Sequence, residues 1–173
     1  YEPKTSGQDQ ALATAREFAE KFRPAHLDDG TCMIFSGRPG TGKSHLAIAI
    51  ALALMPAGAR VLYTTAREMV MTMRESWGSH DGKSELAVLA GLIEKHLLII
   101  DEVGSQFGSE AELIQLFSVI DARYREKMPM ILLTNLNRDK LRDSIGERSF
   151  DRLRAGGIWV AFAWESHRAS ANA

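Results

Sequence analysis

The chain has 173 residues, enough for one domain with a sizeable core and too few for two. Hydrophobic residues make up 45% and charged residues 25%, which excludes a disordered tail, and no apolar run approaches the roughly 20 residues of a transmembrane helix. The net charge of −1 argues against an obvious nucleic-acid binder, yet residues 1–122 carry 11 basic and 16 acidic side chains while residues 123–173 carry 10 and 6. The basic end reads equally as a solvated helix face or as a functional surface.

The chain opens on Tyr1 and not on Met, which is expected of a piece trimmed from something longer. Leu12, Ala15, Phe18, Ala19 and Phe22 recur at helical spacing and predict an amphipathic helix over 11–22. Thr31–Ser36 predicts a short apolar strand. It contains Cys32, a single cysteine that excludes a disulfide framework and a cysteine-built zinc site and fits a reducing, cytoplasmic setting. Ser44–Met55 predicts a buried helix stopped by Pro56 and Gly58, and Val61–Thr64 a second strand. Thr65 and Glu68 form a capping box that opens a helix carrying Met69, Met71 and Met73, of which only part can be core.

A polar loop is expected at Ser79–Lys83, with Trp77 beside it either covering the core or stacking on single-stranded DNA. A helix follows at Ser84–Glu94, then a strand Leu97–Ile100 running into Asp101 and Glu102. Beyond a loop with Gly104 and Gly108 comes a long helix, 110–126, at whose end the cations Arg123, Arg125 and Lys127 suit the helix dipole without any ligand. Pro129 leads into a strand Met130–Thr134. Short helices at 138–145 and 147–154 and a last strand at 158–162 complete the pattern. Strands alternating with helices predict an α/β domain with a mainly parallel sheet.

Gly37-Arg38-Pro39-Gly40-Thr41-Gly42-Lys43-Ser44 matches GxxxxGK[ST] in full, between a strand and a buried helix. Its glycines let the backbone close around phosphate oxygens, where amides and the helix N-terminus bind negative charge. Lys43 is then placed for the β- and γ-phosphates and the Ser44 hydroxyl for Mg²⁺. His45, next in the chain, is counted with the loop among the nucleotide-binding positions and reads otherwise as a helix residue packing locally. Some 57 residues on, an apolar strand delivers Asp101 and Glu102, the first suited to Mg²⁺ and the second to polarising water for ATP hydrolysis. Asn135 ends a further strand and reads either as a γ-phosphate contact or as a turn residue. Arg148, Arg152 and Arg154 crowd one stretch, suited to phosphoryl charge on a neighbour or to pairing with Glu147 and Asp151.

GRPGTGKSHLA, LLIIDEVG, LLTN, GERSFDRLR and WVAFAWESHR, in this order from about Gly7 to Arg168, resemble the AAA+ ATPase domain of bacterial or phage DnaC-type helicase loaders. The resemblance implies a RecA-like αβα core with a parallel sheet in the order 5-1-4-3-2 and no separate helical lid, akin to the initiator DnaA and the transposition helper IstB. It implies ATP and Mg²⁺ as ligands, with Lys43 and Ser44 in Walker A, Asp101 and Glu102 in Walker B, and Asn135 as sensor 1. Arg152 matches the arginine finger that completes a neighbour's site, and Arg168 the late arginine of the family. Ser44 stands where some loaders carry Asn, and Ser is the better magnesium ligand.

Residues 1–30 are then a linker with an amphipathic helix and 31–173 the ATPase domain, with a helicase-binding domain expected before residue 1. Implied partners are a DnaB-type replicative helicase, single-stranded DNA that stimulates hydrolysis, and further copies in an ATP-dependent spiral. No membrane is involved. Two other readings stay open: an IstB-like transposition helper on duplex DNA, and a nucleotide-switched regulatory module with negligible turnover.

Overall fold

The computed structural model describes residues 1–22, 30–76, 84–105 and 109–167. The first helix, α1 (Ser6–Lys21), begins five residues earlier than its apolar spacing predicts. Thr5 and Gln8 form a reciprocal capping box there, which extends the helix through polar residues that carry no hydrophobic period. Strand β1 (Cys32–Gly37) leads through a glycine-rich loop into α2 (Lys43–Leu54). As expected, Pro56 follows the end of that helix at Leu54. It sits inside a 3₁₀ turn, Met55–Ala57, and Gly58 at φ 82° makes the reversal.

Strand β2 (Val61–Thr65) then runs into α3 (Ala66–Glu75), which starts on the Thr65–Glu68 capping box read from the sequence. Met69 and Met73 face the core, while Met71 is exposed. The chain continues through α4 (Glu85–Ile93), β3 (Leu97–Asp101), α5 (Glu110–Arg125) and β4 (Met130–Thr134). It closes with α6 (Arg138–Ile145), α7 (Glu147–Arg154) and β5 (Gly157–Phe162). Trp77, the Ser79–Lys83 loop, Gly108 and Arg168 lie outside the described residues.

All pairings in the sheet are parallel, and the strand order is 2-3-4-1-5, the expected order read from the other edge. Successive side chains of a strand point to opposite faces, so each strand feeds two cores. Met33, Phe35, Leu97, Ile99, Ile131, Leu133, Val160 and Phe162 pack under α1 and α2. Cys32, Ile34, Leu98, Ile100, Met130 and Leu132 pack against helices from α3 to α7. The result is a three-layer αβα domain in which β1, β3 and β4 are buried on both faces, as their unbroken apolar runs require.

Arg123 corrects an expectation. It does not lie on the surface serving its own helix dipole. It is fully buried and donates to the carbonyls of Leu92 and Lys95 at the end of α4 and to that of Pro129 before β4. Burial lowers its pKa to about 10. One buried cation thus satisfies the C-terminal carbonyls of a neighbouring helix, which have no partners within that helix.

Candidate functional site

The glycine-rich segment turns at the C-terminal end of β1, where ligands bind in open α/β sheets. Gly40 and Gly42 have φ of 78° and 94°, the left-handed region that a side chain disfavours. Gly42 is also the N-cap of α2 and supplies no side-chain acceptor, so the first-turn amides are left for an anion. Thr41 is buried and closes the loop by donating to the Arg38 carbonyl at 2.8 Å. Arg38 and Pro39 are exposed on its outer side.

Lys43 lies inside this loop. Its ammonium donates to the carbonyls of Gly37 and Arg38 at 2.6 and 2.9 Å and to Asn135 Oδ1 at 2.8 Å. Burial pulls its pKa below the ordinary value of 10.5, and the nearby Asp101 charge opposes that fall. Asn135 is delivered by the tip of β4. Ser36 at the end of β1 donates to Leu136 O, and Thr134 donates to Val103 O, so the ends of β1, β3 and β4 are tied together around it.

The hydroxyl of Ser44 donates to Asp101 Oδ2 at 2.7 Å, which brings the two expected magnesium ligands together from α2 and β3. A hydroxyl and a carboxylate oxygen form a hard donor pair. Mg²⁺ is commonly held by only one or two such groups with phosphate oxygens and water, so the residues fit the ion. The other carboxylate oxygen, Oδ1, accepts from the Glu102 amide at 2.7 Å. Glu102 itself has φ 58° and an exposed side chain, and its carbonyl accepts from the Ser105 hydroxyl at 2.7 Å. A left-handed non-glycine residue costs on the order of 1–3 kcal/mol, and strain of this kind gathers at functional sites.

Three contacts had no signal in the sequence. The Tyr63 hydroxyl, from β2, also donates to Asp101 Oδ2, and burial followed by that bond raises its pKa to about 12. From the segment after β5, Trp164 Nε1 donates to Thr41 O and the His167 amide to Gly40 O, both at 2.9 Å. These bonds brace the phosphate loop from a segment more than 120 residues away in sequence. His45 is exposed on the first turn of α2, edge-on to Tyr1 at 6.0 Å, in keeping with local packing.

Arg152 is not part of this cluster. It lies on α7 beside a cavity lined by Cys32, Met130 and Gly156, at the opposite, N-terminal edge of the strands. Its Nε donates to Asp121 Oδ1 at 2.9 Å and its guanidinium stacks on Tyr124 at 4.9 Å. It pairs with neither Glu147 nor Asp151. Asp151 bonds Arg154 at 3.4 Å, and Glu147 lies 3.8 Å from Arg142. Arg148 is exposed.

The family model described as IstB-like ATP binding protein matches residues 8–153. The replicative helicase loader DnaC of Escherichia coli strain K12 is 39% identical over 171 residues, covering 97% of this chain and 67% of that protein. The chain belongs to this IstB- and DnaC-type family of ATP-binding proteins. A crystal structure of the DnaC helicase loader superposes with a TM-score of 0.83 at 24% identity, covering 93% of each chain, which establishes the shared fold. The replication initiator DnaA, solved bound to AMPPCP and single-stranded DNA, gives a TM-score of 0.78 at 25% identity over 93% of this chain and 48% of its own. Among the described residues, no helix of this family member is long and apolar enough to cross a membrane.

Proposed function

We propose that this chain is the ATP-hydrolysing module of a replicative helicase loader. One observation carries the reading: Lys43 with Asn135, and Ser44 with Asp101, converge on one edge of the sheet in a chain 39% identical to DnaC over 97% of its length. In this reading the loop from Gly37 to Ser44 wraps the polyphosphate of ATP, and Lys43 exchanges its bonds to the loop carbonyls for bonds to phosphate oxygens. Ser44 and Asp101 hold Mg²⁺, which supplies charge neutralisation at the phosphates when bound. Glu102 orients and deprotonates water, and Asn135, bonded to Lys43, serves as the polar contact to the γ-phosphate or to that water.

Residues 31–173 carry the ATPase elements in this reading, and the helix α1 before them packs into the same core beside α2. Arg152 faces away from its own chain's site, so it serves only a neighbouring copy. Side-by-side assembly in the ATP state, release on hydrolysis, stimulation by single-stranded DNA and engagement of a hexameric helicase complete the proposal. The level of identity to DnaC favours this loader over an IstB-like transposition helper, whose activity would show a preference for duplex DNA.

The test is Arg152→Ala. ATP binding by the variant is expected to be intact, and hydrolysis under assembling conditions to fall by about 10³-fold or more, the effect of a finger supplied in trans. Undiminished hydrolysis by the purified variant refutes the assignment of Arg152.

A further inference from the structure

Arg152 is held before any partner arrives. Asp121 and Tyr124 are three residues apart on α5 and therefore share the face that meets α7. Asp121 engages the guanidinium through Nε, at 2.9 Å, and the Tyr124 ring lies beneath its plane. The second carboxylate oxygen of Asp121 lies 3.1 Å from Arg125 Nε in an ion pair, so a cation flanks the carboxylate on each side. The only hydrogen bond of Arg152 among the described residues runs through Nε, which leaves its two terminal nitrogens, the fork that matches phosphate oxygens, without a protein acceptor. Arg152 adjoins a cavity of about 370 Å³ that Arg125 and Lys127 also line. Lys127 is itself held at φ 53° just past the end of α5. The rim therefore presents two further cations beside the oriented guanidinium of Arg152.

We propose that Asp121 and Tyr124 are positioning residues that preorganise Arg152 for the polyphosphate of ATP bound to a second copy of this chain. The inference rests on the reading of Arg152 as a residue acting in trans. An exposed ion pair that served stability alone would be worth little and would have no reason to select Nε. A free arginine must be ordered as it binds, whereas one held by a carboxylate behind and a ring beneath is already in its binding geometry.

The experiment measures kcat, KM and melting temperature of the chain under assembling conditions for Asp121→Asn, Tyr124→Ala, Asp121→Glu, Tyr124→Phe and Arg152→Ala. Asp121→Asn and Tyr124→Ala are expected to lower kcat by about 10- to 100-fold, the effect of an ångström-scale misplacement, with KM and melting temperature nearly unchanged. The conservative variants Asp121→Glu and Tyr124→Phe are expected to recover most of the rate. In an Arg152→Lys background, which lacks the fork, Asp121→Asn should cause little further loss, because the two act as one unit. Wild-type kcat in Asp121→Asn and Tyr124→Ala, or a full further loss in the Arg152→Lys background, overturns the positioning role. Undiminished hydrolysis in Arg152→Ala instead overturns the reading beneath it. Should Asp121→Asn fail to fold, Tyr124→Ala, which alters a partly exposed ring, decides the question.

Discussion

Gly37 opens the phosphate loop, and the requirement for glycine there is set by the neighbouring strand. Its register partner across the β1–β5 pair is Phe162. A Cβ added at Gly37 would stand 2.3 Å from Phe162 O and 2.6 Å from Phe162 Cβ, where ordinary contact begins at 3.4 Å. The shortfall is roughly 1 Å, and the clash is with backbone, so no rotamer change relieves it. Phe162 has nowhere to go. It is 1% exposed and packs on Phe35 at 5.2 Å and Trp164 at 4.8 Å.

Gly37→Ala is therefore expected to destabilise the domain by roughly 1–3 kcal/mol, the usual cost of overpacking. For a domain of this size that is a fall in melting temperature of roughly 2–12 °C. Because the Gly37 carbonyl accepts from Lys43, displacement of the strand end should also weaken ATP binding. The assay is thermal unfolding beside titration with a fluorescent ATP analogue. Gly91→Ala is the matched control. Gly91 lies inside α4 with nothing within 4 Å of the added Cβ and an ordinary helical φ. It should gain about 0.4–1 kcal/mol through the unfolded state. Equal melting temperatures for the two variants, with unchanged nucleotide affinity in Gly37→Ala, would refute the reasoning.

Two further outcomes follow from buried cations. Lys43→Ala removes a charged donor with three acceptors around it, and ATP affinity by isothermal titration is expected to fall at least ~100-fold, about 2.7 kcal/mol. Arg123→Ala leaves the carbonyls of Leu92, Lys95 and Pro129 without their donor, at about 1–3 kcal/mol each. The expected loss is therefore about 3 kcal/mol or more by urea unfolding, with a cavity between α4 and α5 adding to it.

Much of the fold was legible because its signals are local. The apolar runs at 97–100 and 130–134, the Thr65–Glu68 box and the short helices at 138–145 and 147–154 lie where spacing and capping chemistry set them. The start of α1 was missed because Thr5 and Gln8 cap a first turn without hydrophobic residues. Arg123 was misread because a cation at a helix end looks the same in sequence whether it meets water or the carbonyls of another helix.

The candidate site divides in the same way. GRPGTGKS and LLIIDE each carry their meaning in consecutive residues, since a loop that wraps phosphates and a strand that ends in carboxylates are local constructions. That Ser44 meets Asp101 and Lys43 meets Asn135 follows from the strand order, which sets the tips of β1, β3 and β4 side by side. Tyr63 on Asp101, Trp164 and His167 on the loop, and Asp121 and Tyr124 on Arg152 were decided by tertiary structure alone. Their partners lie 28 to more than 120 residues away, and a contact between different elements leaves no periodicity in either. Composition and spacing therefore determine which residues can handle a phosphate. Only the packing of helices on a twisted parallel sheet determines that Arg152 lies at the opposite edge of the strands from the others, held by Asp121 on α5.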